Sequence, residues 1–458
     1  MNLTTTDNAD RSAAGNLHPC AMTATQAAAA IRAGEMSSEE LVRACLEVIE
    51  AGEPQVMAWH YLDPEYALEQ AREADRRRSG GQPVGPLHGI PVGIKDIFDT
   101  RDMPTEDGTP LHRGRTPAYD AAAVTRLREA GAIIMGKTVT TELALFGPGK
   151  TRNPRDPSRT PGGSSSGSAA AVASGMVPLA IGSQTNGSTI RPASFCGVVG
   201  YKPSHGLISR HGVLTLSRTL DHVGVFAGSV TDAALIADIM MRYDAKDADM
   251  RPKAAPELSR LAAEEPPLTP KLGFLKPPVW NRADEDTREA FEELAGVLGD
   301  QVEEVELPTL FEEALAQHKI IQDAEVAVNF GGDYERGRER MSPQLVEIIE
   351  HGQAIPAAEY IRAVARIPLF LQAIDEVFDR YDAILTPAAP GEAPVGTPTG
   401  DPIFCTVWTL LGMPAVSLPL LSGNNGLPIG VQLVGQRGND GRLLRTARWL
   451  TELVEEEA

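Results

Sequence analysis

Residues 162–193 read GGSSSGSAAAVASGMVPLAIGSQTNGSTIRPA and carry the clearest structural signals of the chain. The small apolar residues at 168–174 predict a short helix that ends at Gly175, and the apolar run at 177–183 predicts a buried strand. The glycines and serines at 162–168 lead directly into these elements, whereas a flexible linker joins two domains. We therefore expect a buried turn at a helix start, because glycine permits close approach and positive φ.

The same turn matches the G-x-S-x-G pattern of a nucleophile elbow at residues 163–167. In an elbow a β-strand enters the turn. The segment that enters here, residues 153–161, contains three prolines, and proline is excluded from central strands because it cannot donate to the ladder. From this segment alone, a simple loop and a functional site both remain open.

Short apolar runs alternate with helical patterns on the N-terminal side of this stretch. Capping boxes at residues 23–26 and 37–40 each predict the start of a helix. The runs at 90–94 and 132–135 are typical of buried strands, and a helical pattern at 121–130 lies between them. Strands that alternate with helices predict an α/β fold with a mostly parallel or mixed sheet.

The C-terminal side continues the α/β pattern. The charged stretch at 244–270, rich in alanine and proline, is expected to be a linker or a surface crossing. Strands are predicted at 271–275, 383–387 and 428–434. Acidic amphipathic helices are predicted between residues 284 and 381, where they would form a cover on one side of a core assembled from both halves of the chain.

Composition excludes several classes of protein. The chain has 458 residues, with 42 basic and 62 acidic side chains and a formal net charge of −20. This excess of acid argues against binding to nucleic acid and to anionic membranes. The first twenty residues lack the apolar core of a signal peptide, and the four cysteines form no C-x-x-C pair, so no zinc site is predicted. We expect a cytoplasmic protein.

Residues 131–138 match the G-x-x-x-x-G-K-[ST] pattern of a phosphate-binding loop. That loop requires its four intervening residues in a turn whose N–H groups surround the phosphates. Here those four residues, 132–135, are the predicted strand. The nucleotide-binding interpretation therefore fails.

The turn after the strand at 177–183 contains residues that could take part in catalysis. Successive N–H groups at residues 185–188 can form a nest that stabilises a developing oxyanion. Ser188 lies at the end of this nest, where a nucleophile is needed. A serine hydroxyl does not attack an amide without a base.

Two kinds of base are available for such a serine. Histidine is the usual base, but the candidate histidines lie in predicted loops, and no neighbouring residue in the sequence indicates a catalytic role for them. They are His88, His112, His205, His211 and His222. The other is Lys95, which ends an apolar run and is otherwise expected to be a solvated charge paired with Asp96. To act as a base, Lys95 needs a pKa about three units below roughly 10.4, a difference of about 4 kcal/mol.

Three pieces in this order resemble the amidase signature family. They are a strand-end lysine at 91–95, the glycine–serine segment at 162–168, and the Gly–Ser turn followed by Arg191 and Pro192. Ser188 follows Ser164 by 24 residues, the spacing that the family uses between its two serines. The similarity extends from about residue 22 to 454, and further family-like segments lie at 202–204, 220–224 and 426–433.

The resemblance implies a single large α/β domain over residues 22–458. Its central mixed, twisted β-sheet would be flanked by helices on both faces, with the core motifs at 85–235 and the helical cover at 284–381. Residues 1–21 are expected to be disordered or loosely ordered.

The resemblance also implies a Ser–cis-Ser–Lys triad that uses no metal and no organic cofactor. Ser188 would be the nucleophile, and Ser164, entered through a cis peptide bond, would connect its hydroxyl to Lys95 as the base. The oxyanion hole would consist of the backbone N–H groups of Thr185, Asn186, Gly187 and Ser188.

Two departures from the family pattern affect substrate recognition. Many members have Gly-Gly before the nucleophile, whereas this chain has Asn186-Gly187, which places bulk and polarity beside the oxyanion hole. The arginine follows the nucleophile by three residues, as in the malonamidase-like branch, where it meets a substrate carboxylate. Arg191 therefore either binds such a carboxylate or pairs within the fold.

The resemblance predicts an amidase that cleaves non-peptide C–N bonds of linear or aryl amides, and of carbamates as in related urethane-cleaving bacterial amidases. Its partner would be a small-molecule substrate, and the chain would be a monomer or homodimer. The alternative is the amidase component of a glutamine-dependent transamidase complex, which passes ammonia to another protein. The intact Lys95, Ser164 and Ser188 argue against a degenerate scaffold. Specificity would depend on which side chains from residues 112–152, 284–381 and 390–410 line the cleft.

Overall fold

A computed structural model describes residues 19–457 of the chain. Most of the predicted disordered start, residues 1–18, lies outside the described residues. Eleven strands of the described part form one sheet. They are β1 (Trp59–Leu62), β2 (Pro91–Lys95), β3 (Ile133–Thr138), β4 (Leu179–Gln184), β5 (Val199–Lys202), β6 (His222–Ala227), β7 (Leu272–Leu275), β8 (Val302–Val305), β9 (Ala383–Pro387), β10 (Ala415–Ser422) and β11 (Pro428–Val434).

Helices precede, connect and follow these strands. They are α1 (Ala24–Ala33), α2 (Ser38–Val56), α3 (Pro64–Ser79), α4 (Ala122–Glu129), α5 (Ser166–Ala173), α6 (Ile190–Cys196), α7 (Val230–Met240), α8 (Leu258–Ala263), α9 (Glu285–Leu298), α10 (Ala314–Asn329), α11 (Gly331–Gly337), α12 (Pro343–Ala354), α13 (Ala357–Phe378), α14 (Thr406–Leu410) and α15 (Asp440–Glu457). Among the described residues no helix has both the length and the apolar character needed to cross a membrane.

The sheet is mixed, with the strand order β1-β3-β2-β4-β6-β5-β10-β11-β9-β7-β8. Strand β2 runs parallel to both β3 and β4, and β7 runs parallel to both β8 and β9. The other neighbouring strands are antiparallel. The predicted fold class, an α/β domain with a large mixed sheet flanked by helices, is therefore confirmed.

Both capping boxes form as predicted from the sequence. The Thr23 hydroxyl accepts the Gln26 N–H at 3.1 Å, and the Gln26 side chain accepts the Thr23 N–H at 2.9 Å. Ser37 and Glu40 make the same reciprocal pair at the start of α2. These contacts satisfy N–H groups that a helix start otherwise leaves unpaired, which explains where α1 and α2 begin.

The strands around the glycine–serine segment lie close to their predicted positions. Every residue of β2, β3 and β4 is buried. Strand β3 contains Gly136, Lys137 and Thr138, so the residues that match the phosphate-binding pattern are in an extended strand. Helix α5 starts two residues earlier than predicted, at Ser166, directly after the glycine–serine turn.

The C-terminal half differs from the prediction in two places. The stretch at 244–270 contains the short helix α8, whose Leu258 and Ala262 are fully buried, so it is more than a surface crossing. The predicted helical cover at 284–381 contains five helices and also strand β8, which forms one edge of the sheet. The division of the domain into core motifs and cover stays a prediction.

Candidate active site

Three neighbouring interior strands bring the candidate residues together at one end of the strands. Strands β2 and β4 are parallel, so their carboxyl ends lie on the same side of the sheet, and β6, which is antiparallel to β4, begins on that side. Lys95 is the last residue of β2, Ser183 lies one residue before the end of β4, and Asp221 immediately precedes β6. This topology explains how residues far apart in sequence meet.

Lys95 is fully buried between two serine hydroxyls. Its Nζ lies 2.8 Å from Ser164 Oγ and 2.8 Å from Ser183 Oγ. Burial lowers the pKa of Lys95 well below its usual value, and the charge of Asp221 opposes this shift. The expected pairing with Asp96 is not observed, because Asp96 instead lies 3.2 Å from the Nζ of Lys137. Burial thus favours the uncharged form of the Lys95 amine.

The loop that carries Ser164 is held on both sides of its peptide bond. The bond between Gly163 and Ser164 is cis. The Gly163 N–H donates to the Thr399 carbonyl at 3.2 Å, and the Ser164 carbonyl accepts the Thr141 N–H at 3.2 Å. These contacts fix the position from which Ser164 reaches Lys95.

Ser188 lies in the turn between β4 and α6, and 8% of its surface is exposed. Its hydroxyl has no hydrogen-bond partner within residues 19–457. Of the three predicted catalytic residues, the structure brings Lys95 and Ser164 into contact. Ser188 follows Ser183, the second serine that contacts Lys95, by five residues in the sequence. A hydrogen bond between Ser188 and Ser164 stays a prediction.

Three carbonyl groups fix the orientation of the turn before Ser188. The Thr185 carbonyl accepts from His318 Nε2 at 3.0 Å, and the Asn186 carbonyl accepts from Thr409 Oγ1 at 2.5 Å. The Gly187 carbonyl accepts the Arg191 N–H at 3.0 Å. In a trans peptide the C=O and the following N–H point in opposite directions. The N–H groups of residues 186–188 therefore point away from these three partners, and their role as an oxyanion hole stays a prediction.

The Asn186 side chain, one of the two departures from the family pattern, is turned towards α14. Its Oδ1 accepts from Thr406 Oγ1 at 2.7 Å. The other departure, Arg191, is 2% exposed and donates to the Gly163 carbonyl at 2.7 Å. Its Nε and the second terminal nitrogen are buried without a partner in the described part of the chain, and burial lowers its pKa to about 10.

Asp221 is a buried carboxylate that contacts the turn at residues 185–188, the predicted oxyanion hole. It accepts from Thr185 Oγ1 at 2.6 Å and from the Leu216 and Ser217 N–H groups at 2.9 and 3.0 Å. Burial raises its pKa to about 6. A cavity of about 450 Å³ reaches this position, and Ser183 and Thr185 also line it.

Three of the five histidines considered as bases have contacts outside the Lys95–Ser164 pair. His88 contacts the Ala74 carbonyl, His112 lies between two aspartates, and His222 contacts the Leu220 carbonyl. Sequence reasoning did not select Ser183, Asp221, His318 or Thr409. Only Ser183 had a usable signal, because it lies on a strand that ends beside the predicted nest. The contacts of His318 and Thr409 join segments more than 130 residues apart.

Comparisons with known proteins show the family to which the chain belongs. The family model described as Amidase matches residues 40–444. The chain is 36% identical to a subunit of the glutamyl-tRNA(Gln) amidotransferase of Chloroflexus aggregans, over 93% of this chain and 94% of the relative. It is 34% identical to the protein of the same name in Acidothermus cellulolyticus, over 95% and 94% of the two chains.

Two solved structures show the same fold. One is reported as a vestigial protein complex that reveals the origins of an s-triazine catabolic enzyme; it has a TM-score of 0.88 and 30% identity, over 94% of this chain and 98% of that one. The other is the peptide amidase of Stenotrophomonas maltophilia, with a TM-score of 0.82 and 29% identity, over 94% and 96%. None of the relatives named here is described as a malonamidase or a urethanase. At the level of the family the assignment is plain: this chain belongs to the amidase family, whose enzymes hydrolyse C–N bonds.

Proposed function

We propose that this chain hydrolyses the C–N bond of a small amide through an acyl intermediate on Ser188. One observation carries the proposal: a fully buried lysine amine, without a carboxylate partner in the described part of the chain, lies 2.8 Å from the Ser164 hydroxyl. A neutral amine can donate to Ser183 and still present its lone pair to Ser164. This arrangement suits a base that acts through a bridging hydroxyl.

The proposed reaction has two halves. Ser188 Oγ attacks the amide carbonyl and gives its proton to Ser164, which passes its own proton to Lys95. The carbonyl oxygen becomes an oxyanion that faces the N–H groups of residues 186–188. The C–N bond then breaks as the relay returns the proton to the leaving nitrogen, and the acyl group stays on Ser188. Water attacks the ester through the same relay and releases the acid.

We propose that the substrate is an amide that also carries a carboxylate. Arg191 is a buried cation, and two of its nitrogens have no partner among residues 19–457. A buried charge is costly unless a partner compensates it. A planar guanidinium matches a carboxylate well. Acid amides, including glutamine, meet this requirement.

The relatives bear on whether this chain acts alone as an amidase or as the amidase component of a transamidase complex. The amidotransferase subunits named above match almost their whole length to this chain, which supports the sequence-based alternative: an amidase component that releases ammonia for use in a complex. The formal net charge of −20 disfavours contact with tRNA, so we expect a partner protein to hold the tRNA in such a complex. Carbamate cleavage stays a prediction that no comparison supports.

Isolation of the tagged chain from its own host, under native conditions, distinguishes the two settings. Glutamine hydrolysis by the isolated material is compared with that of the chain purified alone from a foreign host. A component of a complex is expected to hydrolyse glutamine at least about tenfold faster with its partners present. An equal rate in both preparations, with no partner bound, would identify a stand-alone amidase.

Replacement of Arg191 by methionine is expected to impair acidic substrates selectively. The change removes the charge and keeps the approximate side-chain length. Succinamate and butyramide form a matched substrate pair, because they share a four-carbon acyl chain and differ in one carboxylate. A charge-assisted hydrogen bond contributes about 1.5–3 kcal/mol, so we expect kcat/KM for succinamate to fall roughly 10- to 100-fold more than for butyramide. Equal losses would show that Arg191 only holds the Gly163 carbonyl.

A further inference from the structure

His318 belongs to α10, within the segment predicted to be a cover, yet its ring reaches the turn before Ser188. The side chain is 1% exposed, and its Nε2 lies 3.0 Å from the Thr185 carbonyl. A carbonyl only accepts, so Nε2 must carry the proton of the ring. Burial lowers the pKa of His318 to about 4, which keeps the ring neutral at physiological pH.

The Thr185 carbonyl shares a peptide plane with the Asn186 N–H. Rotation of this peptide would swing that N–H out of the direction in which the proposed oxyanion develops. The Nε2–H of His318 opposes this rotation because it would lose its acceptor in a buried place. We propose that His318 is a positioning residue that fixes the Asn186 N–H of the oxyanion hole, an inference that rests on the proposed function.

Thr409 holds the next peptide of the turn in the same way. Its Oγ1 lies 2.5 Å from the Asn186 carbonyl and accepts from the Gln184 side chain at 2.9 Å. Gln184 Nε2 can only donate, so the single hydroxyl proton of Thr409 goes to a carbonyl. The Asn186 carbonyl, at 2.5 Å, is the nearer acceptor, and the Cys405 carbonyl lies at 3.2 Å. Helices α10 and α14 thus orient two successive peptides, and the Gly187 N–H is fixed together with the Asn186 N–H.

A matched histidine separates positioning from simple packing. His88 is buried, 7% exposed, and its Nε2 lies 3.0 Å from the Ala74 carbonyl, far along the chain from the turn. His88→Leu and His318→Leu each remove one buried contact of the same kind. Only the second contact orients a peptide of the proposed oxyanion hole.

The experiment measures kcat and KM for succinamate, the rate of labelling by a fluorophosphonate, and the melting temperature of each variant. We expect His318→Leu to lower kcat about 10- to 100-fold with little change in KM, because a displaced donor acts mainly in the transition state. The labelling rate should fall similarly, since the adduct places an oxygen in the same hole. His318→Gln, whose amide can donate in place of Nε2, should recover most of the loss. His88→Leu should retain kcat.

Thr409→Val gives an independent test that does not depend on the stability of the His318→Leu variant. It removes one hydroxyl at nearly constant shape, and we expect a similar loss of kcat, whereas Thr409→Ser should keep the activity. Wild-type kcat in folded His318→Leu or in Thr409→Val would overturn the inference. The proposed function fails separately: it fails if Ser188→Ala is active, and it survives if Ser188→Ala is inactive while the His318 variants are normal.

Discussion

Ser188→Ala is expected to lower kcat for amide hydrolysis by at least about 10⁴-fold, since loss of a serine nucleophile removes the covalent route and leaves only binding and electrostatic stabilisation. The substituted side chain is small and lies in a turn fixed by its carbonyl contacts, so the fold should be retained. Hydrolysis of succinamate and labelling by a fluorophosphonate are the measurements. Both should vanish together.

Ser166→Ala is the matched control for this loss. Ser166 is a buried serine at the start of α5, and its Oγ donates to the Val139 carbonyl at 3.3 Å. Its replacement should leave kcat within a few-fold of the wild type. If Ser188→Ala is still labelled, mass spectrometry of the adduct would identify another nucleophile, and the proposed reaction would be wrong.

Lys95→Ala is expected to be nearly inactive, with kcat lowered about 10³-fold or more, because the relay loses its proton acceptor. In the wild-type protein only the neutral amine can accept a proton. The rate should therefore rise with pH as Lys95 deprotonates and then level off. Since burial lowers the pKa of Lys95, this rise should lie well below the range of an ordinary lysine.

A second buried lysine provides the control for the pH profile. Lys202 is fully buried at the end of β5, contacts the Met413 carbonyl, and burial lowers its pKa to about 7. Lys202→Met should keep the pH-dependent rise if Lys95 is the base. Loss of the rise in Lys202→Met, or full activity of Lys95→Ala, would contradict the assignment.

Local sequence signals predicted the elements around the site. Capping boxes and apolar runs located α1, α2, β2, β3 and β4, because these depend on neighbouring residues. Strands β1, β5, β6, β8 and β10 were not predicted. Strand β8 is not buried and lies between two helices, α9 and α10, in an acidic stretch of the sequence. Strand β10 contains Pro419, which weakens its strand pattern. Their places depend on partners distant in the sequence.

In the site, too, local motifs were predictable and contacts between distant segments were not. The sequence predicted Lys95, Ser164 and Ser188 as a group through their ordered motifs, and the structure places Lys95 against Ser164. The orientation of the turn was not predictable, because His318 and Thr409 come from helices whose packing no local pattern encodes. The side-chain direction of Asn186 likewise depends on Thr406, which lies 220 residues away.

The strand order has a consequence for how the protein is made. Strands β10 and β11 occupy the middle of the sheet, between β5 and β9, yet they are the last strands along the chain. When synthesis has reached residue 414, six strands of one side and three of the other exist without the pair that joins them, and β5 and β9 lack a neighbour on that side. Such edges pair readily with other chains. Residues 415–434 close both of these edges, because β10 pairs with β5 and β11 pairs with β9.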